Sequence, residues 1–347
     1  MFKSRRRQET TIVGLEIDPS HLAAAQVHVN GSLSVTHGAV AELRPGIMRD
    51  GEVADTVAMA EELRKLFADN ELPTTVRLGV AHQRIVVRTL DLPVVDDPRM
   101  LDEVVRMEAP DHIPVPMDEA ILDFQSLGTV STPEGPRTRV VIVAVRRDMI
   151  DRLVGVATDA GLTVAGIDLS AFAMVRALRA SRSPDAVLYV SLAGLTNVAV
   201  ANDTGCLFTR AAAGGLDAML QTLMERRGLT IEHARGWVNH VGLTTPLEQV
   251  EGDAELAAAV RQALDEGVHT VADAVRNSLI FYRMQESAES VDRGVLTGPA
   301  VTIPGFAERL SEQLGMPIEP VAVAGPADRT DLGRLTVAAG LAVDDTP

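Results

Sequence analysis

The chain reads as an α/β protein with a duplicated fold and a small strand-helix-strand-strand unit set between the two copies. Three observations predict this. Residues 11–43 and residues 186–210 each open with consecutive strand hairpins and then turn helical, the mark of an internal repeat. Between them, residues 83–166 alternate strand and helix patterns on a shorter scale. The composition is 46% hydrophobic, dominated by Ala, Val and Leu, with only 3% aromatic. A core built from such side chains suits helices packed on sheets.

The elements follow in order. Thr11 to Ile17 is apolar at alternate positions, and Leu22 to Val29 continues as strand. Asn30-Gly31 then supplies the two positive-φ residues of a tight hairpin turn. Asp55 to Asn70 carries Val57, Met59, Leu63, Leu66 and Phe67 at helical spacing, with acidic residues early. Val76 to Ala81 is a short buried-type strand. The small unit reads as strand (Ile85 to Leu90), helix (Asp97 to Ala109), strands (Ala120 to Leu127 and Thr138 to Val145) and helix (Asp148 to Ala160). Pro110 lacks the donor that a helix interior needs, so the first helix is expected to stop there. Ile113-Pro114-Val115-Pro116 makes a rigid corner after it, and Thr132-Pro133-Glu134-Gly135-Pro136 marks a hairpin tip.

The second copy is preceded by a helix from Ala171 to Ala180 and a break at Ser181-Arg182-Ser183-Pro184. Its strands run from Ala186 to Leu192, Asn197 to Asn202 and, after the Asp203-Thr204-Gly205 turn, Cys206 to Ala211. Leu216 to Gln285 is mostly helical, Gly294 to Gly298 is a strand ending in a turn, and Leu335 to Val343 is a closing helix.

Charge and cysteine content exclude several function classes. The formal net charge of −16 argues against nucleic-acid binding. One cysteine, Cys206, excludes a disulfide framework and any multi-cysteine metal site, as expected of a reduced cytoplasmic protein. The eight histidines show no metal-ligand spacing tied to carboxylates. No stretch approaches the run of about 20 apolar residues that a membrane span needs. The basic tip Lys3-Ser4-Arg5-Arg6-Arg7 is not followed by the apolar segment of a signal peptide.

Four stretches carry a family resemblance. Arg106, Glu108, Ala109, Ile113, Pro114 and Pro116, followed by Asp123-Phe124, resemble "R-x-E-A-x-x-x-I-P-x-P … D-F". Pro45-Gly46-Ile47-Met48-Arg49-Asp50-Gly51-Glu52 is similar to "P-G-x-x-x-D-G-E", and Arg276-Asn277-Ser278-Leu279-Ile280-Phe281-Tyr282 to "R-x-S-L-x-F-Y". Leu296-Thr297-Gly298-Pro299-Ala300 with Ile303-Pro304-Gly305-Phe306 is similar to an adenosine-side turn. In this order they resemble the PilM family of type IV pilus assembly proteins, relatives of FtsA, across about Thr11 to Val343. The resemblance implies an actin-like (ribonuclease H-like) duplicated fold with an inserted module. It divides the chain into a basic tip (1–10), a first domain (11–82 and 167–183, with closing helix 331–343 returning to it), the inserted module (83–166) and a second domain (184–330).

In such a fold two hairpin turns hold the phosphates of ATP, and an acid in each positions Mg²⁺. The first turn of the family is similar to "G-x-D-x-G-S-S-x-x-K"; here it reads Gly14-Leu15-Glu16-Ile17-Asp18-Pro19-Ser20-His21-Leu22-Ala23. Glu16 keeps the acid, and is the candidate metal ligand. Asp18 replaces a glycine, Pro19 removes a donor and Ala23 removes a cation, each opposing anion binding. The second turn is expected to resemble "D-I-G-x-x-x-T", yet only Thr196 and Asn197 match. Arg235 and Val238 stand where the family's ribose-facing acid and lysine belong. The candidate cofactor residues carried over are Gly14, Glu16, Ser20, Thr196, Asn197, Gly214, Gly215 and Gly298. The losses imply an eroded site with neither ATP nor Mg²⁺ bound and no enzymatic activity; the alternative is an ATPase whose nucleotide state regulates pilus or type II secretion assembly.

By the same resemblance the chain is a cytoplasmic scaffold. It would reach the inner-membrane pilus assembly complex by binding the N-terminal peptide of a bitopic PilN-like protein, with no direct membrane span and room for a homo-oligomer. The groove for that peptide is expected near Val76 to Gln83 and Ile85 to Pro116. A filament former like FtsA is disfavoured because the sequence ends at Asp344-Asp345-Thr346-Pro347 without an amphipathic targeting helix. A GspL-like protein would continue into a membrane span.

Overall fold

The computed structural model describes residues 11–344 except Gly31, Asp96, Glu134, Arg182, Glu286 and Ser287. The basic tip, Gly31 of the first hairpin turn, Glu134 of the second tip and Arg182 of the break therefore lie outside the described residues.

The first half begins with strands β1 (Val13–Ile17), β2 (His21–Asn30) and β3 (Ser32–Glu42), each pairing antiparallel with the last. A minute hairpin, β4 (Met48–Arg49) and β5 (Glu52–Val53), leads to helix α1 (Thr56–Asp69). The Asp55 side chain caps α1 by accepting the Ala58 N–H at 2.9 Å. Its buried stripe of Met59, Leu63, Leu66 and Phe67 is the face read from the spacing. Strand β6 (Thr75–Val80) then pairs parallel with β1.

The small unit comes next: β7 (Val86–Pro93), α2 (Pro98–His112), β8 (Ala120–Thr132), β9 (Gly135–Arg146) and α3 (Arg147–Asp159). Its sheet has the order β7-β9-β8. Helix α2 does not stop at Ala109 as expected; it carries Pro110 inside and ends at His112. The lost donor is the one that would reach Arg106, whose residue is exposed so that water can satisfy the carbonyl. The Ile113 N–H still closes the last turn on Ala109 O at 3.1 Å.

Strand β10 (Thr163–Leu169) returns to the first sheet beside β6 and passes directly into α4 (Ser170–Ala177). That helix is shorter than expected, with a 3-10 turn at Arg179–Ser181. The second half repeats the opening: β11 (Ala186–Leu192), β12 (Thr196–Ala201) and β13 (Cys206–Ala212) pair antiparallel in sequence. Helices α5 (Leu216–Arg227), α6 (Ile231–Val241) and α7 (Ala254–Arg283) follow. Then come β14 (Val291–Thr297), α8 (Phe306–Leu314), β15 (Ile318–Pro320) and α9 (Leu332–Leu341).

Duplication is explicit in the sheets. Their orders, β3-β2-β1-β6-β10 and β13-β12-β11-β14-β15, are the same arrangement of three antiparallel strands and two parallel additions. Each sheet buries one face under its own helices, giving two aliphatic cores. Helix α9 packs across β1 and β2 and against α4, so a late segment completes the first half. The fit is close: a Cβ on Gly14 would stand 1.8 Å from Ala338 O.

Candidate functional site

The two opening hairpins meet across a cleft, and an acid from one occupies the donors of the other. The β1–β2 turn is closed by mutual main-chain bonds between Asp18 and His21, at 3.0 and 3.3 Å. This holds the Asp18 carboxylate inward, where Oδ1 accepts the Ser20 N–H at 3.0 Å and the Ser20 hydroxyl at 2.6 Å. The same oxygen accepts the Gly194 N–H of the β11–β12 turn at 2.9 Å. His21 Nδ1 lies 3.0 Å from Ser20 Oγ and 3.4 Å from Asp18 Oδ1, with the imidazole fully buried. Burial opposes the Asp18 charge, but the hydrogen bonds from His21 and Ser20 outweigh it and hold the carboxyl below its ordinary value.

Asp18 is thus a buried anion, and it sets the protonation of its neighbours. Glu16, on β1, is raised well above the usual carboxylate range by burial and by the Asp18 charge. Asp217, in the first turn of α5, is raised to about 6 by burial and again by Asp18. A Cβ on Gly194 would come within 2.5 Å of Asp18 Oδ1 and 3.1 Å of Asp217 Oδ2, so these groups share one crowded point. Asp217 was missed in the sequence because its relation to Asp18 spans the two halves and leaves no local pattern.

A second tie crosses the cleft farther out. Glu42, at the end of β3, binds Arg235 of α6 at 2.5 and 2.7 Å and Arg334 of α9 at 2.6 Å. Although burial opposes it, hydrogen bonds from Arg334 and Arg235 keep the Glu42 carboxyl below its ordinary value. Arg235, expected at a ribose-facing position, is engaged with the first half instead.

The remaining sequence-derived site residues do not all converge. Gly14 faces α9, away from the turn. Ser20 serves the Asp18 carboxylate. Thr196 donates its hydroxyl to Gly214 O at 2.6 Å. With Gly215, these two line a recess of about 150 Å³ against α5 and α7 that includes neither Glu16 nor Ser20 in its wall. Asn197 is buried in another seam, beside His82 and Arg210. Gly298, at φ 86°, backs onto Leu192, where a Cβ would meet the carbonyl oxygen at 2.8 Å. Among the described residues no group of three or more His, Cys, Asp or Glu is placed to hold a metal ion, and no helix is long and apolar enough to cross a membrane.

A larger opening lies between the small unit and the first half. It is a cavity of about 450 Å³ with Val143, Val145, Ile121, Ile150, Ile167 and Phe172 as its apolar surface. Its position differs from the expected one: Val80 is the only contribution from residues 76–83, and residues 85–116 contribute none. Strand periodicity explains this. Val140, Ile142 and Ala144 of β9 face α2 together with Val86, Leu90 and Leu92 of β7, so that face is core. Val143 and Val145 point the opposite way, toward α3 and the first half.

Comparison with known proteins places these features. A family model described as "Type IV pilus assembly protein PilM" matches residues 14–345. Among solved structures the chain is similar to the "PilM-PilN type IV pilus biogenesis complex", with 25% identity over 96% of this chain and 97% of that one, at a TM-score of 0.76. The ethanolamine utilization protein EutJ from Carboxydothermus hydrogenoformans is similar at 15% identity and a TM-score of 0.54, covering 95% of this chain and 88% of its own. MreB 5 of Spiroplasma citri bound to AMPPNP is similar at 11% identity and a TM-score of 0.54, covering 95% and 94%. The last two establish the actin-like fold.

Proposed function

The chain belongs to the PilM family of type IV pilus assembly proteins, and from that premise we propose a cytoplasmic scaffold that docks the N-terminal peptide of a bitopic PilN-like protein. The observation that carries the proposal is the apolar cavity of about 450 Å³ between the small unit and the first half. Its polar rim and apolar floor suit an extended peptide with a few apolar anchors. A relative of similar length is known as a PilM-PilN complex, which supports a PilN-like partner. In this reading residues 83–166 form the docking module. Residues 11–82, 167–183 and 331–343 form one supporting domain and residues 184–330 the other. The protein reaches the inner membrane through its partner.

The nucleotide site is degenerate in this proposal. The Gly194 N–H, which an actin-like phosphate would need, already has the Asp18 carboxylate as acceptor. A triphosphate brought there would meet a buried like charge, and Glu16 favours its neutral form, a poor Mg²⁺ ligand. The residues do not fit ATP with Mg²⁺.

The test is binding of a synthetic N-terminal peptide of the PilN-like protein, followed by fluorescence anisotropy. Val143→Glu, which puts a charge on the cavity floor, should abolish it while leaving the fold intact by circular dichroism. Unchanged binding by that variant, or membrane attachment in cells without the partner, would refute the assignment.

A further inference from the structure

The cavity has two kinds of wall, and the difference says how its occupant is held. Strand β9 contributes alternate residues, Val143 and Val145, so it presents a face. Strand β8 contributes the consecutive run Asp123, Phe124 and Gln125, and β10 the run Ile167, Asp168 and Leu169. Consecutive residues line a space only when the edge of the strand, with its main chain, borders it. Both strands are indeed outermost in their sheets.

Both edges carry the same guard. Asp123 Oδ1 accepts the N–H of its own neighbour Phe124 at 2.8 Å, and Asp168 Oδ1 accepts the Leu169 N–H at 2.7 Å. Exposed edges pair readily with other chains, and a carboxylate on the edge donor is one way to prevent indiscriminate pairing. The two edges are not equivalent. Asp168 is also tied to Arg176, and Leu169 runs straight into α4. Strand β8 is free over a longer stretch and is thirteen residues long.

We propose, on the footing of the peptide-docking function above, that the partner segment binds as an added β-strand on the outer edge of β8. Phe124 directs its N–H away from β9, so the two-residue period puts the main-chain groups of Leu122 and Ser126 on the same free side. The added strand pairs there through its backbone. Its alternate side chains descend onto Val143, Val145, Ile150 and Phe172, and the intervening ones point outward. The partner segment is therefore extended, with apolar residues at every second position. The Asp123 carboxylate yields the Phe124 N–H when the strand arrives.

A backbone ester scan of the synthetic N-terminal peptide of the PilN-like protein, against the full chain, tests this. Each ester removes one amide donor and leaves the side chain in place. Esters at every second position should weaken binding about tenfold, as one lost main-chain hydrogen bond would, and those between should have little effect. Loss at consecutive positions, or at none, while the unmodified peptide still binds, overturns strand addition and leaves the docking site standing. Failure of the unmodified peptide to bind removes both.

Discussion

The Asp18 carboxylate accepts the Gly194 N–H at 2.9 Å, joining the first turn of one half of the molecule to the first turn of the other. The bond is buried and charge-assisted, and the same oxygen holds Ser20. Asp18→Ala leaves these donors unmatched and should destabilise the protein by about 1–3 kcal/mol in urea unfolding. A loss below about 0.5 kcal/mol would mean that water replaces the carboxylate without penalty.

Nucleotide affinity follows from the same contact. Calorimetry with ATP and Mg²⁺ should detect weak binding or none. Tight, sub-micromolar binding that disappears in Glu16→Ala would reverse the reading of the cleft.

Asp217 gives the cleft a pH signature. Its native value of about 6 stands above the ordinary 3.8, so the folded protein binds this proton more tightly than the unfolded chain. Stability therefore falls as pH rises between those values and the penalty persists above about pH 6. Asp217→Asn should stabilise the protein by up to about 3 kcal/mol at neutral pH and by nearly nothing near pH 4. An equal effect at both pH values would separate Asp217 from this titration.

Gly14 distinguishes packing from ligand binding. Gly14→Ala would drive a methyl group into the main chain of α9, where no side chain can move aside. A loss of about 3 kcal/mol or more in thermal or urea unfolding is expected, at the high end for overpacking. A variant of normal stability would return Gly14 to consideration as a nucleotide residue.

Local patterns carried the strands and helices far. The alternation in residues 13–17, the helical spacing from Val57 to Phe67 and the order of elements in residues 83–166 all reappear. Pro110 misled because a proline near a helix end forfeits a single bond on an exposed side, which context decides. The Glu42–Arg235 pair is 193 residues apart, so no window of sequence contains it. The cavity was misplaced for a similar reason: alternation in β9 separates two faces, and only the position of α2 says which one is core. Asp18 was read correctly as hostile to phosphate, yet its partner Gly194 became visible only with both turns in view.

Helix α9 finishes a structure begun more than three hundred residues earlier. Its Leu335, Ala338 and Ala339 lie in the same apolar cluster as Ala23, Ala25, Leu33 and Val35 of the first two hairpin strands. During synthesis, then, the opening sheet leaves the ribosome with that face uncovered and waits for nearly the whole message to be read. The second half and the small unit can condense in the interval. The first half is the last to close, and a chaperone that shields aliphatic strands would find its client there.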